Sequence, residues 1–404
     1  GPALRVLRRA VIHVRRMAVE YAPDGACSEG IMYWDYGTSF HGILCTLLAR
    51  AFGSSFGLDM LPGLRESGQW VRHMRGPSGK FFCYSDCLTE QIPLTAMHWL
   101  ARLEKSPALA AGETSRLSGL LDTWDHGLPD LHGEFWRLLA FILIWLPDTD
   151  PVCTEEPPAL HWKARGVMPA AAHRTASGAF AAIKGGCPRI NHAHLDTGTF
   201  VADLAGQRWI EDPGMQHYAG LETAGLKLWD SGPDGDRWRV FRTGAESHSI
   251  LFLDGRGPDP SAAATFLPSV EEASVLDLTA AYRDRAARVR RGIQVSGQPD
   301  GILIRDEWQA LPGRPLAVRW QILTPARVTT NGTDVILRID GITTRLAILH
   351  ASSPGRWKIT PAAKLLAVHD DPAPGLFRVE IHLTTPPGST GTLTVGLSTE
   401  GASL

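Results

Sequence analysis

The sequence predicts an α+β chain of two parts, a helical domain over residues 1–150 and an antiparallel β domain over residues 151–404. Three observations predict it. In the first part apolar residues recur at spacings of three and four, the mark of one helix face. In the second part they alternate with period two, as in strands with one buried face. Helical and strand segments do not interleave, and no Gly-rich phosphate loop is present, which excludes a doubly wound nucleotide fold.

The helical elements follow in order. Leu4, Leu7, Val11, Val14, Ala18 and Tyr21 form a first stripe, with Arg5, Arg8, Arg9, Arg15 and Arg16 mostly outside it. Similar periods run through Thr38 to Phe52, Met60 to Met74, Thr95 to Leu103, Arg116 to Trp124 and Glu134 to Leu146, and Gly and Pro punctuate the gaps. The Pro- and acid-rich stretch from Pro147 to Pro158 reads as the connector. Strands are then expected at "TFVADLA", "RWIED", "SILFLDG", "GILIRDEW", "LAVRWQIL", "VILRIDG", "FRVEIHLTT" and "GTLTVGL". Asn331-Gly332 and Asp340-Gly341 sit at hairpin spacing. The sequon Asn331-Gly332-Thr333 is explained by that turn. Two packed sheets are the simplest outcome.

Charge is nearly balanced, with 40 Lys+Arg against 42 Asp+Glu, so bulk electrostatics point neither to nucleic acid nor to a membrane surface. Thirteen tryptophans, six tyrosines and fifteen histidines suit an open cleft in which flat apolar faces stack on sugars. Cys27, Cys45, Cys83, Cys87, Cys153 and Cys187 include no paired CxxC, so free buried thiols are expected. The apolar run Leu138 to Leu146 is too short to span a bilayer. No leader is visible, and the opening Gly-Pro reads as a protease scar.

The stretch "INHAHLDTGTFVADLAGQRWIEDPG" is the unusual one. Read as a strand, it would set His192, His194 and Asp196 on one face, and two imidazoles with a carboxylate are odd both for a core and for a solvent face.

This stretch, followed by "ESHSILFLDG", resembles the heparinase II/III-like group of polysaccharide lyases. The segments "PDGACSEGIMYWDYGTSF" and "PSGKFFCYSD" resemble that group's helical part, so the likeness runs from about Pro23 to about Trp308. The resemblance implies an N-terminal incomplete α/α toroid followed by an antiparallel β-sandwich, with the toroid here short, as if first helices were missing. It also implies a periplasmic or secreted bacterial enzyme that cleaves an acidic, uronic-acid-containing polysaccharide by β-elimination. Removing the proton beside a charged carboxylate requires that the carboxylate be neutralised, and a base and an acid are needed besides.

By resemblance one structural zinc is held by His194, Asp212 and His248, neutral imidazoles and one anion being plausible zinc ligands; polar residues satisfied in a β core without metal are the other reading. A geometric condition attaches to the zinc set. With the turn at Gly206-Gln207, simple pairing sets Asp212 opposite Val201, and a straight strand would then part it from His194 by more than about 20 Å. The chain must therefore fold back near Asp196-Thr197-Gly198, where Gly permits a bend.

The resemblance also places catalytic roles on His192, which helps to neutralise the substrate carboxylate, and on Tyr84 as base or acid. Glu29, if protonated, would donate to that carboxylate. An ordinary buried tyrosine and an exposed loop glutamate are the alternatives for the last two. Tyr36 and Trp34, with Tyr33, are candidates for sugar stacking, packing between helices being the other reading. Tyr218 is a further candidate for the substrate site and for proton transfer. Where relatives carry Asn or His in the helical part, this chain reads Cys27-Ser28-Glu29, with no His until His41. Either Glu29 and Ser28 take over, or the carboxylate is held differently, or the activity is altered. A glycoside hydrolase pairing Glu29 with Asp35 or Asp86, and a non-catalytic glycan-binding protein, stand as alternatives. The partner expected is an acidic polysaccharide or oligosaccharide, with no nucleic acid and no membrane. Oligomeric state is not legible.

Overall fold

The computed structural model describes residues 1–88, 93–122, 137–146, 157–298 and 300–399. The chain forms two compact units. One comprises Gly1–His73 and Glu90–Ala159, the other Met74–Thr89 and Leu160–Leu404.

The first unit is helical. Its described α-helices are α1 (Pro2–His13), α2 (Ala18–Tyr21), α3 (Gly30–Phe52), α4 (Glu66–His73), α5 (Thr95–Glu104), α6 (Ala111–Asp122) and α7 (Ile142–Trp145). Pro2 opens α1, where its missing N–H costs nothing. Gly53, at φ 72°, closes α3 by donating to Ala49 O. The buried face of α3 runs through Ile31, Trp34, Thr38, His41, Cys45 and Leu48 at helical spacing. Gly42 lets that face meet α5, since a Cβ there would lie 2.6 Å from the Trp99 ring. The last predicted helix, the connector and Cys153 fall wholly or partly outside the described residues. No helix among the described residues is long and apolar enough to cross a membrane.

The second unit is built from three antiparallel sheets, not the two that the sequence made the simplest outcome, because the strands between His161 and Ile210 pair in a sheet of their own. The first runs in sequence order through β1 (His161–Ala164), β2 (Ala170–Arg174), β3 (Phe180–Lys184), β4 (Phe200–Leu204) and β5 (Gln207–Ile210). After a short α8 (Tyr218–Thr223) come β6 (Leu251–Leu253), β7 (Thr265–Leu267), β8 (Ala273–Asp277), β9 (Ala286–Gly297), β10 (Asp300–Ala310) and β11 (Leu316–Thr324). The chain ends on β12 (Arg327–Thr330), β13 (Asp334–Ile339), β14 (Ile342–Ala351), β15 (Arg356–Pro361), β16 (Phe377–Thr385) and β17 (Thr390–Thr399). The eight-stranded sheet is ordered β12-β13-β14-β17-β10-β9-β8-β7, the four-stranded one β15-β16-β11-β6. Side chains from all three enter one core, among them Phe200 and Trp209, Ile293 and Ile304, and Trp320 and Ile381. Every strand segment expected from period-two alternation contributes a strand.

Two sequence expectations need correction. His192, His194 and Asp196 are not alternate residues of a strand, because β4 begins only at Phe200. His192 stands at φ 59°, a left-handed conformation that a strand cannot contain. The chain turns again at Gly198, φ 87°, with Thr199 N donating to Asp196 O at 2.8 Å. The fold-back is thus present where the sequence required it. Asp212 is not set opposite Val201: the turn is Ala205-Gly206, both at positive φ, rather than Gly206-Gln207, so Leu204 pairs with Gln207 and Asp203 with Arg208; a bulge in β5 then sets Ala202 against Ile210, and pairing stops before Asp212.

The single boundary expected near residue 150 also omits a segment. Residues 74–88 lie in the first half of the sequence but belong to the β unit. Arg208 of β5 donates to the carbonyls of Lys80 and Phe81 at 2.9 and 3.0 Å. Lys80 pairs with Glu211 at 3.0 Å, and Asp203 accepts from Ser78 N at 3.1 Å. Gly76 admits that aspartate, since a Cβ there would lie 2.1 Å from Asp203 Oδ2.

Candidate functional site

The site lies within the β unit, on connecting stretches rather than strands. Each stretch is held by long-range hydrogen bonds. Arg291 of β9, fully buried and paired with its cross-strand neighbour Asp306 at 2.8 and 3.1 Å, donates to Gly198 O and Ser249 O at 2.9 and 2.7 Å. It thereby ties the stretch carrying His192 and His194 to that carrying His248. Asp86 N donates to His192 O at 2.9 Å and Met215 N to Cys87 O at 2.9 Å, joining residues 74–88 to both sides of the hairpin.

His194, Asp212 and His248 come together, all three buried, with one ligand atom of each within 4.8 Å of the others. His248 Nδ1 lies 2.7 Å from Asp212 Oδ2, and the imidazoles are 5.3 Å apart. His194 Nδ1 and His248 Nε2 are buried without a hydrogen-bond partner among the described residues. Two orphaned imidazole nitrogens beside a carboxylate fit a cation. Burial pushes the His194 imidazole below its ordinary range, which suits a ligand nitrogen.

Beside this group is a second one centred on Asp86, a fully buried carboxylate. It faces His192 Nδ1 at 3.0 Å, His194 Nε2 at 3.0 Å, Arg237 Nη2 at 3.0 Å and the Tyr218 hydroxyl. Burial alone would raise its pKa, but hydrogen bonds from His192 and His194 and the charges of His194 and Arg237 outweigh it and hold Asp86 ionised, well below the usual carboxylate range. Arg237 also donates to Ala193 O at 2.8 Å, gripping the backbone between the two histidines. Burial, then the Asp86 charge, pushes the Tyr218 phenol up, so it is neutral.

The outer side of this group is aromatic. His192, with its side chain 18% exposed, lies 5.3 Å from the Trp229 ring and 6.5 Å from that of Tyr218, with which it is nearly parallel. Trp229 is 58% exposed. A flat apolar face beside a partly exposed imidazole and phenol can stack on a sugar and exchange protons with it.

The other expected residues lie elsewhere. Tyr84 is fully buried, its ring edge-on to Phe82 at 5.3 Å and facing Lys184 Nζ at the same distance. Lys184 is itself paired with the buried Asp196. Trp34, expected to stack on sugar, is likewise fully buried, edge-on to Trp70 at 6.0 Å, so its place is a helix–helix contact. Tyr36 is half-buried, with Phe40 against its ring and its hydroxyl accepting from Arg137 at 2.8 Å. Glu29 precedes α3 as its N-cap residue and is half-buried. Ser28 donates to Glu20 at 2.6 Å. Of the carboxylates considered for a hydrolase, Asp35 accepts from Ala96 N at 2.7 Å inside the helical unit, and Asp86 is saturated with donors.

Sequence reasoning missed Trp229 and Arg237, and saw Asp86 only as a hydrolase carboxylate. The tryptophan content was the one signal pointing toward Trp229.

A model of the heparinase II/III-like C-terminal domain matches residues 171–374, just over half of the chain. A solved heparinase III superposes with TM-score 0.62 at 14% identity, over 98% of this chain and 57% of that one. The heparan sulfate lyase HepC from Pedobacter heparinus superposes with TM-score 0.54 at 14% identity, over 98% and 60%. At such identity the likeness is one of fold, and the chain spans somewhat over half the length of these structures. No curated protein matches the sequence.

Proposed function

The chain belongs to the heparinase II/III-like family, and from that premise we propose that it is a polysaccharide lyase acting on an acidic, uronic-acid-containing glycan by β-elimination. In this reading the helical unit is the counterpart of an incomplete α/α toroid and the protein works in the periplasm or outside the cell. The observation that carries the proposal is the partly exposed His192, bound through Nδ1 to a buried carboxylate and flanked by Tyr218 and the exposed Trp229.

Trp229 is the stacking face for a sugar ring. His192 keeps Nε2 as its acceptor nitrogen and takes the carbon-bound proton next to the substrate carboxylate. Tyr218, a neutral phenol whose proton lies toward Asp86, turns it to the departing glycosidic oxygen, and the imidazolium that His192 has become offsets the phenolate left beside Asp86. It replaces Tyr84, whose burial removes it from that role. His194, Asp212 and His248 hold one zinc ion, which when bound cross-links the three stretches that frame the site. The carboxylate-neutralising part first assigned to His192 passes, in this scheme, to groups other than the proton acceptor.

Elimination leaves an unsaturated sugar that absorbs ultraviolet light. A panel of acidic polysaccharides, alginate-like, glucuronan-like and glycosaminoglycan, should include one whose digestion raises absorbance. New reducing ends without that rise would instead favour hydrolysis. Elemental analysis should give about one zinc per chain, lost in His194→Ala and in His248→Ala. Unchanged metal in both variants would end the zinc assignment.

A further inference from the structure

We infer that Asp86 is a positioning residue that sets the tautomers of His192 and His194 together, so that the proton-transfer imidazole and the metal-binding imidazole hang from one buried carboxylate. The inference deepens the lyase reading and rests on it for the role of His192. Asp86 is met as an acceptor: Arg237, which can only donate, faces its Oδ2 at 3.0 Å, and the Tyr218 hydroxyl donates to the same oxygen. Any imidazole nitrogen facing Asp86 must therefore carry its proton. That nitrogen is Nδ1 in His192 and Nε2 in His194, each at 3.0 Å and on different oxygens, Oδ2 and Oδ1.

A neutral imidazole carries one N–H, so the opposite nitrogen of each ring is the acceptor. In His194 that is Nδ1, the buried atom without a partner among the described residues, which belongs to the group with Asp212 and His248. In His192 it is Nε2, on a ring that is partly exposed. Two histidines one residue apart thus use opposite nitrogens toward the same aspartate. The left-handed His192 backbone and the Arg237 bond to Ala193 O accompany that arrangement. A carboxylate behind a ligating histidine fixes ring orientation and raises ligand basicity, and its loss typically weakens metal binding about 10–100-fold. Here the same loss also removes the carboxylate from His192 Nδ1, leaving that atom the Tyr218 hydroxyl at 3.2 Å. Arg237 and Tyr218 supply the remaining donors and keep the buried charge compensated.

Nitrogen NMR of the full chain carrying ¹⁵N-histidine, assigned with His192→Gln and His194→Gln, reads the tautomers directly. The expected result is a proton on Nδ1 of His192 and on Nε2 of His194, with added zinc shifting Nδ1 of His194. A proton on Nδ1 of His194 in the metal-free protein, or a zinc shift at its Nε2, overturns the inference. Asp86→Asn should bind zinc about 10–100-fold more weakly in competition with a chromogenic chelator. On the polymer that the wild type cleaves, it should lower kcat by about 100-fold with KM little changed. Unchanged zinc affinity in a folded Asp86→Asn overturns the inference as well. If the variant does not fold, the wild-type spectrum decides. If no polymer is cleaved by the wild type, the lyase reading fails while the tautomer and zinc measurements still judge Asp86.

Discussion

The helical unit and the β unit each bury an aspartate, and the two meet opposite fates. Asp35 on α3 accepts from Ala96 N and Ser39 but faces no cation in its bonds, and burial lifts its pKa to about 7. Asp86, buried as deeply, is surrounded by two imidazoles, a guanidinium and a phenol and stays ionised. Burial by itself does not make a reactive group. What surrounds the group decides whether it serves packing or chemistry. The same contrast runs through the aromatic candidates: Trp34 is absorbed into a helix contact, whereas His192, Tyr218 and Trp229 keep part of their surface open.

The contrast can be broken from either side. The largest effect is expected for His192→Ala, which should cut elimination by about 10²–10⁴-fold and leave zinc content unchanged. An active variant would move the chemistry elsewhere. Trp34→Ala should cost about 3–5 kcal/mol of stability, as removal of a buried large side chain does, with kcat per folded molecule retained. Loss of kcat without destabilisation would return Trp34 to the site.

Asp35 gives a test in pH. Its folded pKa of about 7 lies above the unfolded carboxylate value near 4. Between those values the folded state holds a proton that the unfolded state has lost. Stability contributed by this group is therefore greatest below about pH 4 and falls as pH rises to about 7, by on the order of 4 kcal/mol. Denaturant unfolding of Asp35→Asn should show that slope flattened. The smallest effect is expected from Tyr36→Phe, which removes the hydroxyl that accepts from exposed Arg137 and should change stability and KM by no more than about 1 kcal/mol.

The parts legible in the sequence were those written locally. Helical stripes and period-two strands announce themselves within a dozen residues; β10 and β16 lie where that patterning put them, and α3 covers the expected Thr38 to Phe52 but begins earlier, at Gly30. The meeting of His194, Asp212 and His248 was legible through the family likeness, and the fold-back it needs through Gly198. The alternation of His192, His194 and Asp196 misled, because every-second-residue polarity looks the same in a strand and in a stretch that turns twice. Asp86 was illegible for another reason. Its partners lie 106, 108, 132 and 151 residues away, and no local pattern encodes a meeting at that range. Tyr84, two residues before it, carried the family likeness, yet the neighbour holds the hydrogen bonds.

The early segment from Met74 to Thr89 has a consequence for how the polypeptide is made and cut. Ribosomes deliver it long before Arg208, His192 or Arg237 exist, so it must wait, unfinished, while the intervening helices emerge. A gene divided at the acidic connector would strand it on the wrong side. The downstream half, expressed alone, should come out lacking a floor under its hairpin, and adding back a peptide spanning residues 74–88 should restore it.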